Sequence, residues 1–403
     1  MPEFVPIRQL LALVIGGGWG EASPTEECTQ IVSIVRGADF PEVRHGDVTS
    51  LPMRYEKSER VKRRQLQAGD IILEISGGTN ERPTGRSIFV SESMINSVDH
   101  PIIPASFCRL LRPDSSKVDS LFLFYWLQHM YEAGRTWGYQ VRSTGIANFQ
   151  TEFFMDEEFV RLPSIAEQRR IAGVLGALDD LIEVNRRLIA DLLASSDAIA
   201  ATPIDEVSEV TFADVCDIFG GGTPSTKEDT YWGREIRWAT PTDITALPSP
   251  YLFDTSRRIT PAGLDACTSK LMPKGSILMT SRATIGAFAI AQEPTAVNQG
   301  FIAVEPRAEV DRWFLFHEMR RRVPEFIQRA NGSTFLELSR GVFKSLPVSW
   351  PSLEARTELF HRLDPLHSAA ASLQAEIQEL EAARDELLPL LMSGRVRVGD
   401  VAA

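Results

Sequence analysis

The stretch Leu162 to Leu193, LPSIAEQRRIAGVLGALDDLIEVNRRLIADLL, decides the architecture. Ser164 follows Pro163 and stands three residues before Glu167, the spacing of a capping box, in which a hydroxyl and a carboxylate satisfy the free N–H groups of a helix start. No proline follows until Pro203, so the sequence predicts one long helix ending near Ser195. Ile171, Val174, Leu178, Leu181, Leu188 and Leu192 keep a three-and-four alternation, interrupted only by Asn185 at a core-type position. That is a seam for one partner helix.

The partner lies in the same chain. WPSLEARTELFHRLDPLHSAAASLQAEIQELEAARDELLPLLMSGRV, from Trp350, repeats the design, with Pro351-Ser352-Leu353 standing for Pro163-Ser164-Ile165. Leu359, Leu363, Leu366, Ala370, Leu373, Ile377, Leu380, Leu387 and Leu391 carry the seam, Arg384 is its polar intruder, and Pro365 and Pro389 are expected to make this helix less regular. The alternative is two amphipathic helices, each packed on its own domain.

Outside the helices the chain repeats itself. Ile15-Gly16-Gly17-Gly18-Trp19-Gly20 aligns with Phe219-Gly220-Gly221-Gly222-Thr223-Pro224, and Ile34 to Phe40 with Trp238 to Ile244. Ala68 to Leu73 matches Lys274 to Met279, Val118 to Phe124 matches Val310 to Phe316, and Arg142-Ser143-Thr144-Gly145 matches Asn331-Gly332-Ser333-Thr334. The fold expected is α+β: two similar globular domains joined by two long antiparallel helices, with internal pseudo-twofold symmetry. The boundaries are 1–160, a helix at 161–200, a second domain at 201–350 and a helix at 351–403. Antiparallel pairing follows because the second helix leaves the second domain and must run back toward the first. About 30 helical residues span ~45 Å, comparable to the 34–36 Å of one DNA turn, which suits a split DNA site with an unread spacer.

Composition bounds the rest. The chain is 43% hydrophobic and 24% charged, and no apolar run reaches the roughly 20 residues that cross a bilayer. MPEFVPIRQL lacks the basic-then-apolar order of a signal peptide, so a cytoplasmic location is expected, with no membrane partner. Cys28, Cys108, Cys216 and Cys267 are isolated and read as reduced thiols, with no metal site. The net charge of −12 is spread thinly along the chain and the two large segments are nearly balanced, which leaves room for local basic patches.

Leu162 to Ala172 followed by Leu178-Asp179-Asp180-Leu181-Ile182 resembles the central conserved region of specificity (S) subunits of Type I restriction-modification enzymes. So do Gly220 to Ser225 with Tyr231, Trp232 and Trp238, Gly275 to Gly286, and Asn298-Gln299-Gly300-Phe301. The resemblance covers the whole chain in the family's order. It departs in the first domain, where Trp19-Gly20-Glu21 replaces Thr-Pro-Ser and Ser76-Gly77-Gly78-Thr79 replaces Ser-Arg-Ala-Thr. It implies two target recognition domains, each reading half of a bipartite double-stranded DNA target. It also implies partnership with two methyltransferase (M) subunits and, through them, two restriction (R) subunits. S-adenosylmethionine, ATP and magnesium would serve those partners, and no cofactor would bind this chain. Glu167, Gln168, Arg169, Arg170, Asp179 and Asp180 on the conserved helix are the docking candidates.

Base and phosphate contacts call for Arg, Lys, Asn, Gln, Ser and Thr on loops. In the first domain the candidates are the basic run Arg54, Lys57, Arg60, Lys62, Arg63 and Arg64, then Thr79, Asn80, Arg82 and Arg86 on a glycine-rich loop, then Arg142, Ser143 and Thr144 within Arg135 to Asn148. In the second they are Thr223, Ser225, Thr226 and Lys227, then Thr280, Ser281, Arg282 and Thr284, and finally Asn331, Ser333 and Thr334 beyond Arg320, Arg321, Arg322 and Arg329. The bland reading of the basic run is a solvated face, and that of Thr280 to Ile285 a strand end satisfied by its own turn. Trp232 and Trp238 read as core. No Asn-Pro-Pro-aromatic or Asp-Pro-Pro-aromatic motif, dinucleotide fingerprint, phosphate loop or HExxH is present, and the six histidines are scattered. A non-catalytic DNA-recognition subunit is therefore expected. A coiled-coil adaptor with protein-binding ends is the alternative.

Overall fold

The structure is a computed structural model that describes residues 3–143, 146–332 and 336–401. It divides into two compact units: Met1–Glu183 with Leu380–Ala403, and Val184–Glu379. Each unit therefore owns part of both long helices.

The first unit is built on a four-stranded antiparallel sheet, in the order Leu11–Gly16, Cys108–Pro113, Ile71–Glu74, Ser87–Phe89. Beside it, Met53–Glu56 pairs antiparallel with Gln30–Val35, which pairs in parallel with Ile102–Pro104. Side chains alternate across a strand, so Ile71–Glu74 feeds two cores at once. Ile71 and Leu73 join Phe122, Leu123 and Leu127 of the helix Ser120–Glu132, while Ile72 faces Phe40, Val43 and Met94. Asp119 caps that helix through the N–H of Phe122 at 3.0 Å.

The second unit repeats this order. Its main sheet runs Cys216–Phe219, Phe301–Pro306, Ile277–Thr280, Phe288–Ala291, with Tyr251–Leu252 added in parallel at the edge. Arg257–Ile259, Trp232–Ala239 and Thr295–Val297 form the companion sheet, again antiparallel and then parallel. A two-stranded ribbon leads into each long helix: Glu3–Pro6 with Phe159–Leu162, and Val207–Thr211 with Pro347–Pro351. The repeat seen in the sequence is thus a repeat of strand order.

The central helix is Ile165–Ala200, and the C-terminal helix is Leu353–Ser393. Both start on the expected serine: Ser164 Oγ accepts the N–H of Glu167 at 3.4 Å, and Ser352 Oγ that of Ala355 at 3.2 Å. Pro365 and Pro389 lie on the exposed face of an uninterrupted helix.

The central seam differs in register from the expected one. Ile171, Leu175, Ile182, Asn185, Ile189 and Ser196 are buried, whereas Leu181, Val184 and Leu188 are 41%, 50% and 44% exposed. Two adjacent stripes of this helix are apolar, and spacing alone does not say which is turned inward.

In the first unit the helices run antiparallel, since Ile171, Ala172 and Leu175 share a core with Leu388, Leu391 and Met392. Arg384 donates to Asp179 at 2.9 Å, and Tyr125 Oη donates to the other oxygen of Asp179 at 2.6 Å. Burial alone would lower the Arg384 pKa, but its bonds to Asp179 and Asp385 outweigh that and hold it above the ordinary value.

In the second unit the joint is a histidine pair. Asp197 lies 3.0 Å from His317 Nδ1, the two Nε2 atoms of His317 and His367 are 3.0 Å apart, and Tyr251 Oη lies 2.9 Å from His367 Nδ1. One proton arrangement satisfies every group: Tyr251 donates to His367, His367 Nε2–H donates to His317, and His317 Nδ1–H donates to Asp197. Trp313 stacks on His367 at 3.8 Å, its indole N–H donating to Asp364, and Arg320 pairs with Asp197. A further proton on His317 would set its Nε2–H head to head with that of His367. Burial pushes both imidazoles well below the ordinary 6.5, against the Asp197 charge for His317 and with help from His317 and Arg320 for His367.

Two outcomes are expected. Leu391→Ala, at a site with no exposure, should cost roughly 2–5 kcal/mol in chemical denaturation, whereas Leu188→Ala should stay within about 0.5 kcal/mol. Reversed costs would restore the other register. The histidine joint is fully stabilising above pH ~6.5 and weakens as pH falls, because the unfolded chain takes up protons first. Melting points between pH 7.5 and 5 should fall, and less steeply for His367→Gln than for the parent chain; parallel slopes would contradict this account.

Candidate nucleic-acid interface

The glycine turns are framework in both units. Gly17 and Gly18 run against Cys108 and Pro104, donating to their carbonyls at 3.0 and 2.9 Å, and a Cβ on Gly17 would stand 2.0 Å from the Ala105 oxygen. Gly222 donates to Val297 at 3.1 Å, and a Cβ on Gly221 would stand 2.0 Å from the same carbonyl. These glycines admit a close backbone crossing.

In the first unit the basic run occupies the strand Met53–Glu56 and the helix Ser58–Arg64. Much of its charge is already matched. Lys57 pairs with Glu27, Lys62 with Glu59, and Arg60 and Arg64 each approach the buried Glu56 at 3.4 Å. Arg54 lies 4.9 Å over the half-exposed Trp19, and Arg63 points outward. A cleft of about 810 Å³ between the glycine turn and this helix collects Glu21, Glu26, Glu27 and Glu56 as well as Lys57, Arg60 and Arg64. Its field is mixed.

The glycine-rich loop and the later hairpin come together. Ser76–Gly78 pairs with Ile146–Phe149, which pairs with Gln140–Ser143. Arg142 reaches from the hairpin to Asn80 Oδ1 and the Thr79 carbonyl. At the loop's base, buried Glu74 accepts Arg86 at 2.6 and 2.9 Å and Arg82 at 3.2 Å. Arg135, by contrast, is taken up by buried Glu158.

The second unit closes the equivalent region with isolated bridges, Arg282 to Glu337 and Asn331 to Glu337, and Arg282 pairs with Glu337 at 2.9 Å. Thr280 and Ser281 are buried, at 0% and 3% exposure, and the Thr280 hydroxyl serves its own turn at Thr284 and Ala287. Arg282 and Thr284 remain exposed around Ala283, whose φ is +58°. Thr223 meets Gln299, and Ser225, Thr226 and Lys227 form an exposed turn ahead of Trp232. Trp238 is core, donating to the Gly222 carbonyl at 3.0 Å, while Trp232 is half-buried with Arg257 3.5 Å above its ring. Arg320, Arg321 and Arg322 are consumed by Asp197, Glu318 and Glu325. Thr144, Ser333 and Thr334 lie outside the described residues.

On the central helix, Gln168 is buried, accepting from the Asp119 N–H and donating to the Pro163 carbonyl, both at 2.8 Å. Asp179 serves Tyr125 and Arg384. Arg169, Arg170 and Asp180 face outward, with Glu167 paired to Arg170. In the first unit's part of this helix the exposed Leu181 lies on that outward face, and in the second unit's part Val184 and Leu188 are exposed; their place beside the buried stripe hid them in the sequence.

Over nearly its full length the chain has the fold of a solved S subunit of a Type I restriction-modification system from M. genitalium, with a TM-score of 0.59 at 16% identity, covering 96% of this chain and 95% of that one. The family model for the Type I restriction modification DNA specificity domain matches twice, over residues 37–194 and 204–382, and the chain belongs to that family, as a specificity subunit. Among curated relatives, the Type I restriction enzyme MjaIX specificity subunit of Methanocaldococcus jannaschii is 36% identical over 148 residues, 36% of this chain and 34% of that protein. The putative MjaX specificity subunit of the same organism is 22% identical over 320 residues, 72% of this chain and 71% of that protein. The first of these matches spans about a third of the relative's length.

Gly221→Ala is expected to cost at least ~1–3 kcal/mol, because the obstacle is backbone rather than a movable side chain. A melting point unchanged from the parent chain would refute the crossing.

Proposed function

We propose that this chain reads a bipartite double-stranded DNA target, one half through the loops of each unit, and carries no catalytic centre of its own. The observation that carries this reading is that the two units share one strand order and one glycine crossing, yet present different polar groups on the loops above them. A repeated frame with divergent donors suits two half-sites of different sequence, since bases are told apart by donor and acceptor patterns. The continuous helices would set the unread spacer.

Exposed residues of the central helix, Arg169, Arg170, Asp180 and Leu181 in the first unit's part and Val184 and Leu188 in the second's, support docking of two methyltransferase subunits and, through them, two restriction subunits. S-adenosylmethionine, ATP and magnesium then belong to those partners. Such docking would also cover part of the acidic surface and ease the conflict between a net charge of −12 and a polyanionic target. Among the described residues, no helix is long and apolar enough to cross a membrane.

Coexpression with the cognate methyltransferase subunit, followed by long-read mapping of methylated adenines, tests the reading. One split motif with a fixed spacer is expected; an assembled complex that methylates no motif would refute it. Arg282→Ala should lower DNA affinity severalfold and leave the melting curve native, since its bridge to Glu337 is exposed and worth little. Unchanged affinity at physiological salt would remove Arg282 from the interface.

A further inference from the structure

The first unit's loop offers three side chains that could bond a base edge, Asn80, Arg82 and Arg86, and the facing hairpin adds Arg142. Their partners separate them. Arg86 gives Nε and Nη2 to Glu74, at 2.9 and 2.6 Å, and Nη2 also to the Gly37 carbonyl at 2.6 Å. Arg82 gives Nη1 to Glu74 at 3.2 Å and Nη2 to the Gly77 carbonyl at 2.9 Å. Glu74 is 2% exposed, so both arginines are drawn back onto the base of their own loop. Thr79 Oγ1 accepts the N–H groups of Glu81 and Arg82, at 3.2 and 3.0 Å, and so closes the turn at the tip.

Asn80 stands at that tip, exposed. Arg142 holds its side-chain oxygen through Nη1 and the Thr79 carbonyl through Nη2, while the guanidinium lies 5.8 Å from the centre of the Trp137 ring. A guanidinium has only donors, so the atom it meets must be Oδ1, which fixes the amide with its NH2 turned away from Arg142.

We propose that Asn80 is the base-reading residue of the first unit, with Arg142 as its positioning residue, and that it selects a base edge made of acceptors, guanine N7 and O6, over adenine. Asparagine ordinarily reads adenine by accepting from N6 and donating to N7. Arg142 takes one lone pair of the Asn80 oxygen and turns the NH2 outward, so the donating half of that pair of bonds is the one presented to a base edge. Arg82 and Arg86 are frame. The assignment rests on the reading of this unit as a DNA-recognition domain. It applies to one half of the target only, because Thr280, placed in the second unit where Glu74 stands in the first, spends its hydroxyl on its own turn at Thr284 and Ala287.

The test uses the full chain assembled with its methyltransferase subunit and the methylation motif as readout. Should the parent complex show no split motif, the DNA reading itself fails, independently of Asn80. Given a motif, Asn80→Ala should lose discrimination by ~10-fold or more at one guanine of one half-site and leave the other half strict. Asn80→Asp, which offers only acceptors, should move that position toward cytosine. Arg82→Gln should lower methylation evenly and keep the motif. The proposal is overturned by an unchanged motif in Asn80→Ala, by even loss at all positions, by relaxation in both halves, or by Arg82→Gln relaxing a position that Asn80→Ala keeps strict.

Discussion

The bond from Arg384 to Asp179 joins residues 205 positions apart, and the first unit is completed only by chain that arrives after the whole of the second has been built. Closing so long a loop costs roughly 5 kcal/mol of chain entropy. Burial of Leu388, Leu391 and Met392 returns about 1.5–3 kcal/mol each, which is enough to offset it. The polar pair adds little net energy beside that apolar term. Its contribution is register: a helix shifted by one turn would leave the half-buried Asp179 facing Tyr125 with no cation, and the arrangement that keeps both partners is favoured.

The second unit meets the same requirement with different chemistry. Tyr125 and His317 occupy equivalent places, one residue beyond the matching segments that end in Phe124 and Phe316. Each donates to a carboxylate on the central helix, Asp179 in one case and Asp197 in the other. Each is completed from the C-terminal helix, by Arg384 or by His367. The guanidinium keeps its charge at any working pH, whereas the imidazole pair holds together only while neutral. Duplication kept the geometry of the joint and let its protonation chemistry drift.

Much of this was legible in the sequence, and the reasons are local. Ser164 and Ser352 announce their helices because capping needs only the next few residues. The repeat of strand order could be followed through Gly16, Gly220, Asp70 and Ser276, since turns and buried strands constrain residue type strongly. The seam register was not legible, because Leu181 and Leu188 are as apolar as Ile182 and Ile189 and only the partner decides between them. Nor were the fates of the cations. Glu56 and Glu74 are acidic residues in plain view, but nothing in the sequence says that they are buried or which arginines they hold. Trp137, inside a stretch singled out for its donors, gains meaning only when Arg142 is seen beside it.

The division between frame and loop explains why function can vary here without loss of fold. A substitution at Gly17 or Gly221 strikes backbone, and one at Ile72 or Leu278 strikes a fully buried, close-packed core, so those positions are nearly fixed. Asn80, Arg142, Arg282 and Thr284 sit on the exposed surface, where a change costs little stability. Selection on what the loops bind can therefore proceed in one unit without disturbing the other. Two frames that began alike then acquire different donors, here an amide held by an arginine in one and an arginine held by a glutamate in the other. Surfaces that differ in this way cannot favour the same pattern of donors and acceptors, so if each unit reads half of one target, the two halves differ in sequence.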